Sequence, residues 1–388
     1  MKSLLIVAPY STLPTDKFVN RFSYLARYFA DNDYRTTFVT STFSHFEKSF
    51  RDACSTERHP NLEVVLVDEP GYPKNVGLQR LHSIRQFRKN FRRHFPSLED
   101  YDIVYSAYPT IGHNIDILQR IDRTRTALIV DIQDIWPESF SSVVPAIAKV
   151  PPRLLPFARA ADRVYSGADG LIAVSRTYLA RGREANEHCS SLVAYLGSEF
   201  EMVETRPMRL DAIQLFYIGT LSYSYDIATV VVAVNRLVTA GWKIELNIFG
   251  TGPDLGRLKG LEHRGTCFHG TVPYRELEAR LREQHVAVNP IRSGAGQTIT
   301  NKLCDYLALG CPLLNSQKGW EVDDVLANVH HHNYLAGNVE SAMAAIVSLA
   351  EDPRLYDEWI CNSAFSRDRI VEDIARFVDE LRPSRVSA

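Results

Sequence analysis

One device, used twice, constrains this chain more than any other feature. Short, continuous runs of Val, Ile and Leu alternate with amphipathic helical patterns; the alternation breaks once, near residue 200, and then begins again. In the first half the runs are SLLIVAP (3–9), RTTFVTS (35–41), LEVVLVD (62–68), DIVYSAY (102–108), ALIVDIQD (127–134), GLIAVS (170–175) and SLVAYL (191–196). Continuous runs rich in Val, Ile and Leu, rather than apolar only at every second position, suit strands buried on both faces. Helical patterns lie between them, as in FVNRFSYLARYFADN (18–32) and TYLARGREAN (177–186). Such alternation implies right-handed crossovers and a parallel, doubly wound sheet.

The break is EFEMVETRPMRLDAIQ (199–214), polar and without a period, and it reads as a linker. The pattern resumes with LFYIGTLS (215–222), a helix over 226–240, KIELNIFGTG (243–252), CFHGTV (267–272), a helix over 273–284 and VAVNPI (286–291). ITNKLCDYLALGCPLLNS (299–316) follows as a helix, a Gly break and a buried strand. The expected architecture is α/β: two Rossmann-like domains, 1–205 and 206–365, facing a central cleft. The amphipathic helix in SRDRIVEDIARFVDELR (366–382) suits a segment, 366–388, that folds back on the first domain, an inference by analogy. A length of 388 residues accommodates two domains.

Bulk properties exclude some partners. A formal net charge of −2 argues against a nucleic-acid binder. The six cysteines form no C-x-x-C pair and mostly sit in apolar surroundings, so they read as reduced core thiols of a cytosolic protein. The apolar run in MKSLLIVAPYS stops at Pro9, too soon for a secretion signal, and reads as the first strand. No stretch has the length of a membrane-spanning helix. His330, His331 and His332 suit either a metal site or a partly exposed loop, and the loop is the reading adopted; no metal and no cofactor is expected.

In open α/β sheets ligands bind beyond the carboxyl ends of the strands. In the second half, YIGTLSYSYD puts Gly219 and Thr220 at a strand end and Ser224, Tyr225 and Asp226 at a helix start. FGTGPD repeats the device with Gly250 and Gly252. These are equally ordinary strand–helix turns or backbone cradles for an anion. The helix at 301 tips the balance. With Thr300 or Asn301 as N-cap, Lys302 falls in the first turn, where the helix dipole disfavours a cation by roughly 0.3–1 kcal/mol. An anion in front of that helix end would reverse the sign, and a diphosphate fits. Asp305 lies three residues on, on the same face, where a carboxylate could accept hydrogen bonds from a vicinal diol such as ribose. Gln297, Thr298 and Asn301 offer polar contacts, and Arg292 offers a second cation.

YIGTL, IFGTG and TNKLCDYLALGCP, in that order, resemble the C-terminal half of GT-B glycosyltransferases of family 4. VDIQDIWPESF (130–140), ADGLIAVSRTYL (168–179) and YLGSE (195–199) extend the resemblance to members that build bacterial capsule and exopolysaccharide. It implies an enzyme that takes a sugar, hexose-type and UDP-linked, from a nucleotide-sugar donor with retention of configuration. In that family a Glu–x7–Glu motif holds the donor. Here the second acid aligns with Asp305 and the first with uncharged Gln297. The family's basic diphosphate clamp is replaced by Thr220 and the Tyr225/Asp226 region, which moves that duty to Lys302, the expected catalytic cation.

The resemblance gives acceptor binding to the first half. Asn20 and Arg21 open its first helix, and His113 follows a strand in SAYPTIGHN. DIQDIWPES gathers Asp131, Gln133, Asp134, Trp136 and Glu138 in one loop. Asp134 and Glu138 are candidates for catalytic contact with acceptor or donor sugar, or for capping the next helix. LQRLHSIRQFRKNFRRHF (78–95) carries Leu81, Ile84, Phe87, Phe91 and Phe95 along one helical stripe, with arginines elsewhere. That is the pattern of a helix on an anionic membrane, and equally of a surface helix whose stripe enters a core. A lipid-linked glycan acceptor favours the first reading: a cytoplasmic enzyme peripheral to the inner face of the plasma membrane. The rival expectations are a sugar-nucleotide epimerase of the same fold and a non-catalytic partner in a glycan-assembly complex.

Overall fold

A computed structural model describes residues 1–16, 19–51, 59–74, 77–142, 150–200, 207–281, 283–295 and 298–383. The chain divides into two compact units: Met1–Ala194 with the chain from Val371 on, and Tyr195–Ile370. The sequence boundary at 205/206 therefore moves to Ala194/Tyr195. The reason is packing: Phe200 is buried and stacks on Tyr274 at 4.3 Å, and Tyr195 stacks on Phe365 at 5.2 Å.

In the first unit the strands are β1 (Lys2–Val7), β2 (Tyr34–Ser41), β3 (Phe43–Ser44), β4 (Ser49–Phe50), β5 (Leu62–Val67), β6 (Ile103–Tyr108), β7 (Ala127–Ile132), β8 (Gly170–Ala173) and β9 (Ser190–Val193). Seven of them form a sheet in the order β5-β2-β1-β6-β7-β8-β9, and each pairing is parallel. The order reverses between β1 and β6. β3 and β4 make a short antiparallel hairpin that the sequence pattern did not signal. The helices are α1 (Arg21–Asp31), α2 (Leu78–His94), α3 (Ile111–Leu118), α4 (Ala158–Ser166) and α5 (Arg176–Arg183).

The second unit contains β10 (Ile213–Ile218), β11 (Ile244–Phe249), β12 (Thr266–Gly270), β13 (Val286–Asn289), β14 (Leu313–Asn315) and β15 (His331–Asn333). They form a parallel six-stranded sheet, β12-β11-β10-β13-β14-β15, with its reversal between β10 and β13. Its helices are α6 (Ile227–Thr239), α7 (Leu255–Lys259), α8 (Tyr274–Leu281), α9 (Asn301–Leu309), α10 (Trp320–Leu326) and α11 (Val339–Glu351). Apolar strands and the buried faces of α6 and α11 form a core on one side of this sheet; α9 supplies the other. The histidine triplet, read as a loop, instead leads into edge strand β15: His331 and His332 begin it, paired with β14 in the register Leu313↔His331, and His330 stands just before it. Three polar residues on a sheet edge carry no hydrophobic period, so the pattern could not show them.

The last helix, α12 (Arg367–Glu380), carries Phe377 and then Leu381 against the bare Cα of Gly170 in β8. Tyr34 donates its hydroxyl to Asp379, and Lys2 pairs with Asp379 at 3.3 Å.

The apolar stripe of α2 belongs to the core. Phe87, Phe91 and Phe95 are buried with β1, β6 and β7 residues, so the stripe is not available to a membrane. Burying a Phe contributes roughly 1.5–3 kcal/mol, more than exposed placement on a lipid surface would return for the fold. Arginines of this helix are also engaged, Arg92 among them, 4.0 Å from Asp116 although exposed. Arg88 makes a two-pronged bond to Asp116, and Arg80 lies over the rings of Tyr10, Tyr72 and Trp136. Arg85, Lys89, Arg92 and Arg93 remain on the outside, with Leu78 (83% exposed) and Leu81 (51%). Among the described residues no helix is long and apolar enough to cross a membrane. Of the cysteines, Cys304 and Cys311 are core residues, but Cys267 is exposed; Cys54 lies outside the described residues.

Candidate functional site

The reversal in the second unit opens the sheet between the carboxyl ends of β10 and β13, where a ligand meets free backbone rather than a crossover. The loops there are tied together. Tyr225 bridges to Ile291, Arg292 N donates to Ser224 O at 3.1 Å, and Asp226 N donates to Pro290 O. Asp226 also accepts from Thr229 and from the Gly337 amide, so it organises the loop from within.

Gly219 (φ +122°) and Gly250 (φ +152°) are required, for a reason the sequence did not reveal. A Cβ on Gly250 would stand 1.9 Å from Gly219 O, and one on Gly252 would stand 2.2 Å from Leu221 O. The bare faces of Gly250 and Gly252 meet the neighbouring loop; they do not face an open ligand space. Gly219 is different. Its missing Cβ leaves room for the Lys302 side chain, whose Cε would be 2.5 Å away.

Lys302 is the second residue of α9. Thr300 is the N-cap, its hydroxyl accepting from Leu303 N at 3.2 Å. A helix leaves its first amides unbonded, and among the described residues nothing accepts from Asn301 N or Lys302 N. Lys302 Nζ donates to the Tyr225 hydroxyl at 2.8 Å and lies 4.0 Å from the centre of that ring, with Tyr217 at 5.7 Å. No carboxylate among the described residues pairs with it. A cation held by aromatic faces and a hydroxyl, beside open amides, is suited to an anionic group. Thr220, Ser224 and Arg292 are exposed around this point, and Thr298 O accepts from buried Gln317. Gln297 lies outside the described residues.

Asp305 does not share its surroundings with Lys302. It is buried, accepts from the Tyr274 hydroxyl at 3.1 Å and from Ser198, and burial lifts its carboxyl to about 7. One residue group escaped the sequence reading. Asn289, Asn315 and Gln317, at the carboxyl ends of β13 and β14, form a buried amide network that reaches Asn333. Asn289 Oδ1 is buried in it without a hydrogen-bond partner. Amides in strand-end positions were the available signal.

The first-unit candidates are mostly internal. Asn20 caps α1, accepting from Phe22 N and Ser23 N, and also accepts from Ser11. Arg21, expected on a solvated helix start or at a ligand, is buried: it pairs with Asp131 at 3.0 Å and donates to Ala194 O. Asp131 accepts from Tyr105 and Gln133 as well. His113 is wholly buried between Thr110, Ser106 and Asn114, and desolvation lowers its pKa to about 4. It faces the core rather than a ligand, because α3 turns that side toward Phe87. Asp134 accepts from Ile135 N, Trp136 Nε1 and Ser139, closing its own loop. Glu138 pairs with Arg181, which also holds Asp162.

Known proteins agree with this layout. Residues 212–352 match the family model described as Glycosyl transferases group 1, and residues 19–186 match the Glycosyl transferase 4-like domain. No curated protein sequence matches the chain. Among solved structures, sucrose-phosphate synthase from Thermosynechococcus elongatus superposes with a TM-score of 0.70 at 12% identity, covering 98% of this chain and 99% of that one. Anabaena HepE in complex with UDP gives 0.64 at 14% identity, covering 98% and 100%. The lipopolysaccharide outer core galactosyltransferase WaaB gives 0.55 at 16%, covering 98% and 96%. At these identities the structures speak for the fold. The two family models, one on each half and both of glycosyl transferases, decide the activity: the chain is a glycosyltransferase of the GT-B fold.

Proposed function

We propose that this enzyme transfers a hexose-type sugar, with retention of configuration, from a UDP-linked donor to a lipid-linked or growing polysaccharide acceptor of the capsule or exopolysaccharide kind. The observation that carries the donor assignment is Lys302, a cation without an acidic partner among the described residues, seated on Gly219 at the open end of α9. The similar HepE structure contains UDP, which supports that base. WaaB acts on lipopolysaccharide outer core, which supports a lipid-linked acceptor.

On this reading the diphosphate sits before α9. As the anomeric C–O bond to it breaks, negative charge grows on the leaving oxygen. The Lys302 ammonium and the Asn301 and Lys302 amides are already oriented to stabilise that charge. The departing oxygen takes the acceptor's proton, and the new glycosidic bond forms on the same face of the sugar. Thr298, Arg292 and Ser224 lie at the margin and no metal takes part; Asp305, held in the interior by Tyr274 and Ser198, shapes α9 instead of touching the ribose. Asp134 and Glu138 shape the loop after β7 rather than moving a proton. Asn20 and Arg21 support the acceptor side from within. The exposed basic face of α2, with Leu78 and Leu81, meets anionic lipid at the cytoplasmic side of the membrane.

Calorimetry with UDP, GDP, TDP and ADP tests the donor assignment. UDP-selective binding that Lys302→Ala loses supports it. Folded protein that binds none of the four sinks it. Sedimentation with vesicles containing anionic lipid tests the membrane contact: it should weaken on replacing Arg85, Lys89, Arg92 and Arg93 by Gln, and wild-type protein that fails to sediment overturns it.

A further inference from the structure

A second constellation lies at the other end of the second sheet. His330 and His332 flank His331 at the start of β15. Their rings are 6.1 Å apart, centre to centre, at 67°. His331 goes elsewhere, its Nδ1 set 2.9 Å from Val329 O. Asp352, the residue that ends α11, lies against the pair. Its carboxylate is oriented by the Arg354 amide at 2.9 Å and by the Arg354 guanidinium.

One atom has an unusual environment. His330 Nε2 is buried and 3.0 Å from Asp352 Oδ2, but without the alignment that a hydrogen bond needs. One donor atom from each of His330, His332 and Asp352 lies within 4.8 Å of the other two, and all three residues are half-buried. In a tetrahedral zinc site, bonds of about 2 Å set neighbouring donors roughly 3.3 Å apart. The Asp–His separation is already close to that edge, and the His332 donor lies within 4.8 Å of both.

We propose that His330, His332 and Asp352 bind a divalent transition metal of the zinc class, with a water completing the shell. Two imidazoles and a carboxylate are borderline donors that suit Zn2+, Co2+ or Ni2+ rather than Mg2+ or Ca2+. The site joins an edge strand, held by three residues to β14, to the corner after α11. It stands at the amino end of the sheet, away from the carboxyl-end loops that hold Lys302, so its role is to pin β15 and not to enter the reaction.

The experiment is a zinc titration of chelator-treated protein by calorimetry at pH 7.5. One equivalent is expected, with a dissociation constant in the micromolar range or tighter and a concentration-dependent rise in melting temperature. His332→Ala and Asp352→Asn should each weaken binding at least tenfold. His331→Ala, on the opposite side of the strand, should leave it within about twofold. Absence of saturable binding overturns the proposal. So does equal weakening by His331→Ala and His332→Ala, which would mean a generic histidine-rich strand. Co2+ supplies an independent check: an intense thiolate charge-transfer band would put the metal on cysteine, such as exposed Cys267, and also overturn the site.

Discussion

Lys302 donates to the hydroxyl of Tyr225 while lying against the face of the same ring, so one tyrosine restrains the cation by two different forces. A hydroxyl and a π-face hold the ammonium in place without neutralising it. An acid in that position would have cancelled the charge that a diphosphate needs.

Lys302→Ala should therefore cost on the order of a hundredfold or more in kcat/KM, as loss of one preorganised transition-state donor does. Its melting temperature should stay close to wild type, because Lys302 makes no ion pair among the described residues. Tyr225→Phe keeps the ring and removes the hydroxyl, and should cost less. Steady-state kinetics on both variants checks the order; equal rates for Lys302→Ala and wild type would contradict it.

Gly250→Ala should destabilise the second unit by roughly 3 kcal/mol, from a Cβ in a left-handed backbone pressed onto a carbonyl 1.9 Å away. Gly270, also at positive φ (+72°) but with open space around it, serves as the control and should cost less. Denaturant unfolding of the two variants measures the difference.

Asp305 gives a pH signature. Burial raises its folded pKa to about 7, above the ordinary carboxylate value, so the folded state holds this proton more tightly than the unfolded one. Stability from this group is then greatest at acid pH. It falls by about 1.4 kcal/mol per pH unit between the unfolded pKa near 4 and about 7, and levels off above. Asp305→Asn, which carries no charge to bury, should gain on wild type across that window. Unfolding free energies at pH 5, 6, 7 and 8 decide the matter, and a constant difference between the two proteins refutes it.

Arg21 and Asp131 are buried partners, and removing either leaves the other charged in the interior. Arg21→Met and Asp131→Asn should each cost about 3–5 kcal/mol. The double variant should cost less than the sum of the two. Strict additivity in a double-mutant cycle would show that the pair does not act as a unit.

How much of this was legible beforehand differs by element. Runs such as ALIV (127–130) and LLIVA (4–8) are continuously apolar, a local property, and they became central parallel strands. The cap of α9 was also local: Thr300 and Lys302 stand where the chain itself puts them, whatever surrounds the helix. Edge strand β15 was not legible, because His331–Asn333 is a strand only by virtue of β14 beside it.

The site divides in the same way. By itself the sequence determined two doubly wound halves and a lysine at a helix start, since periodicity and capping act between residues close in the chain. The tertiary structure alone decided which of the candidates face a ligand. The α2 stripe, Arg21 and His113 all read as available, and folding buried them. Gly250 read equally as a cradle or an ordinary turn, and folding made it the contact between two loops. The reason is physical: burial, ion pairing and the approach of one loop to another depend on residues tens to hundreds of positions apart, which no local pattern records.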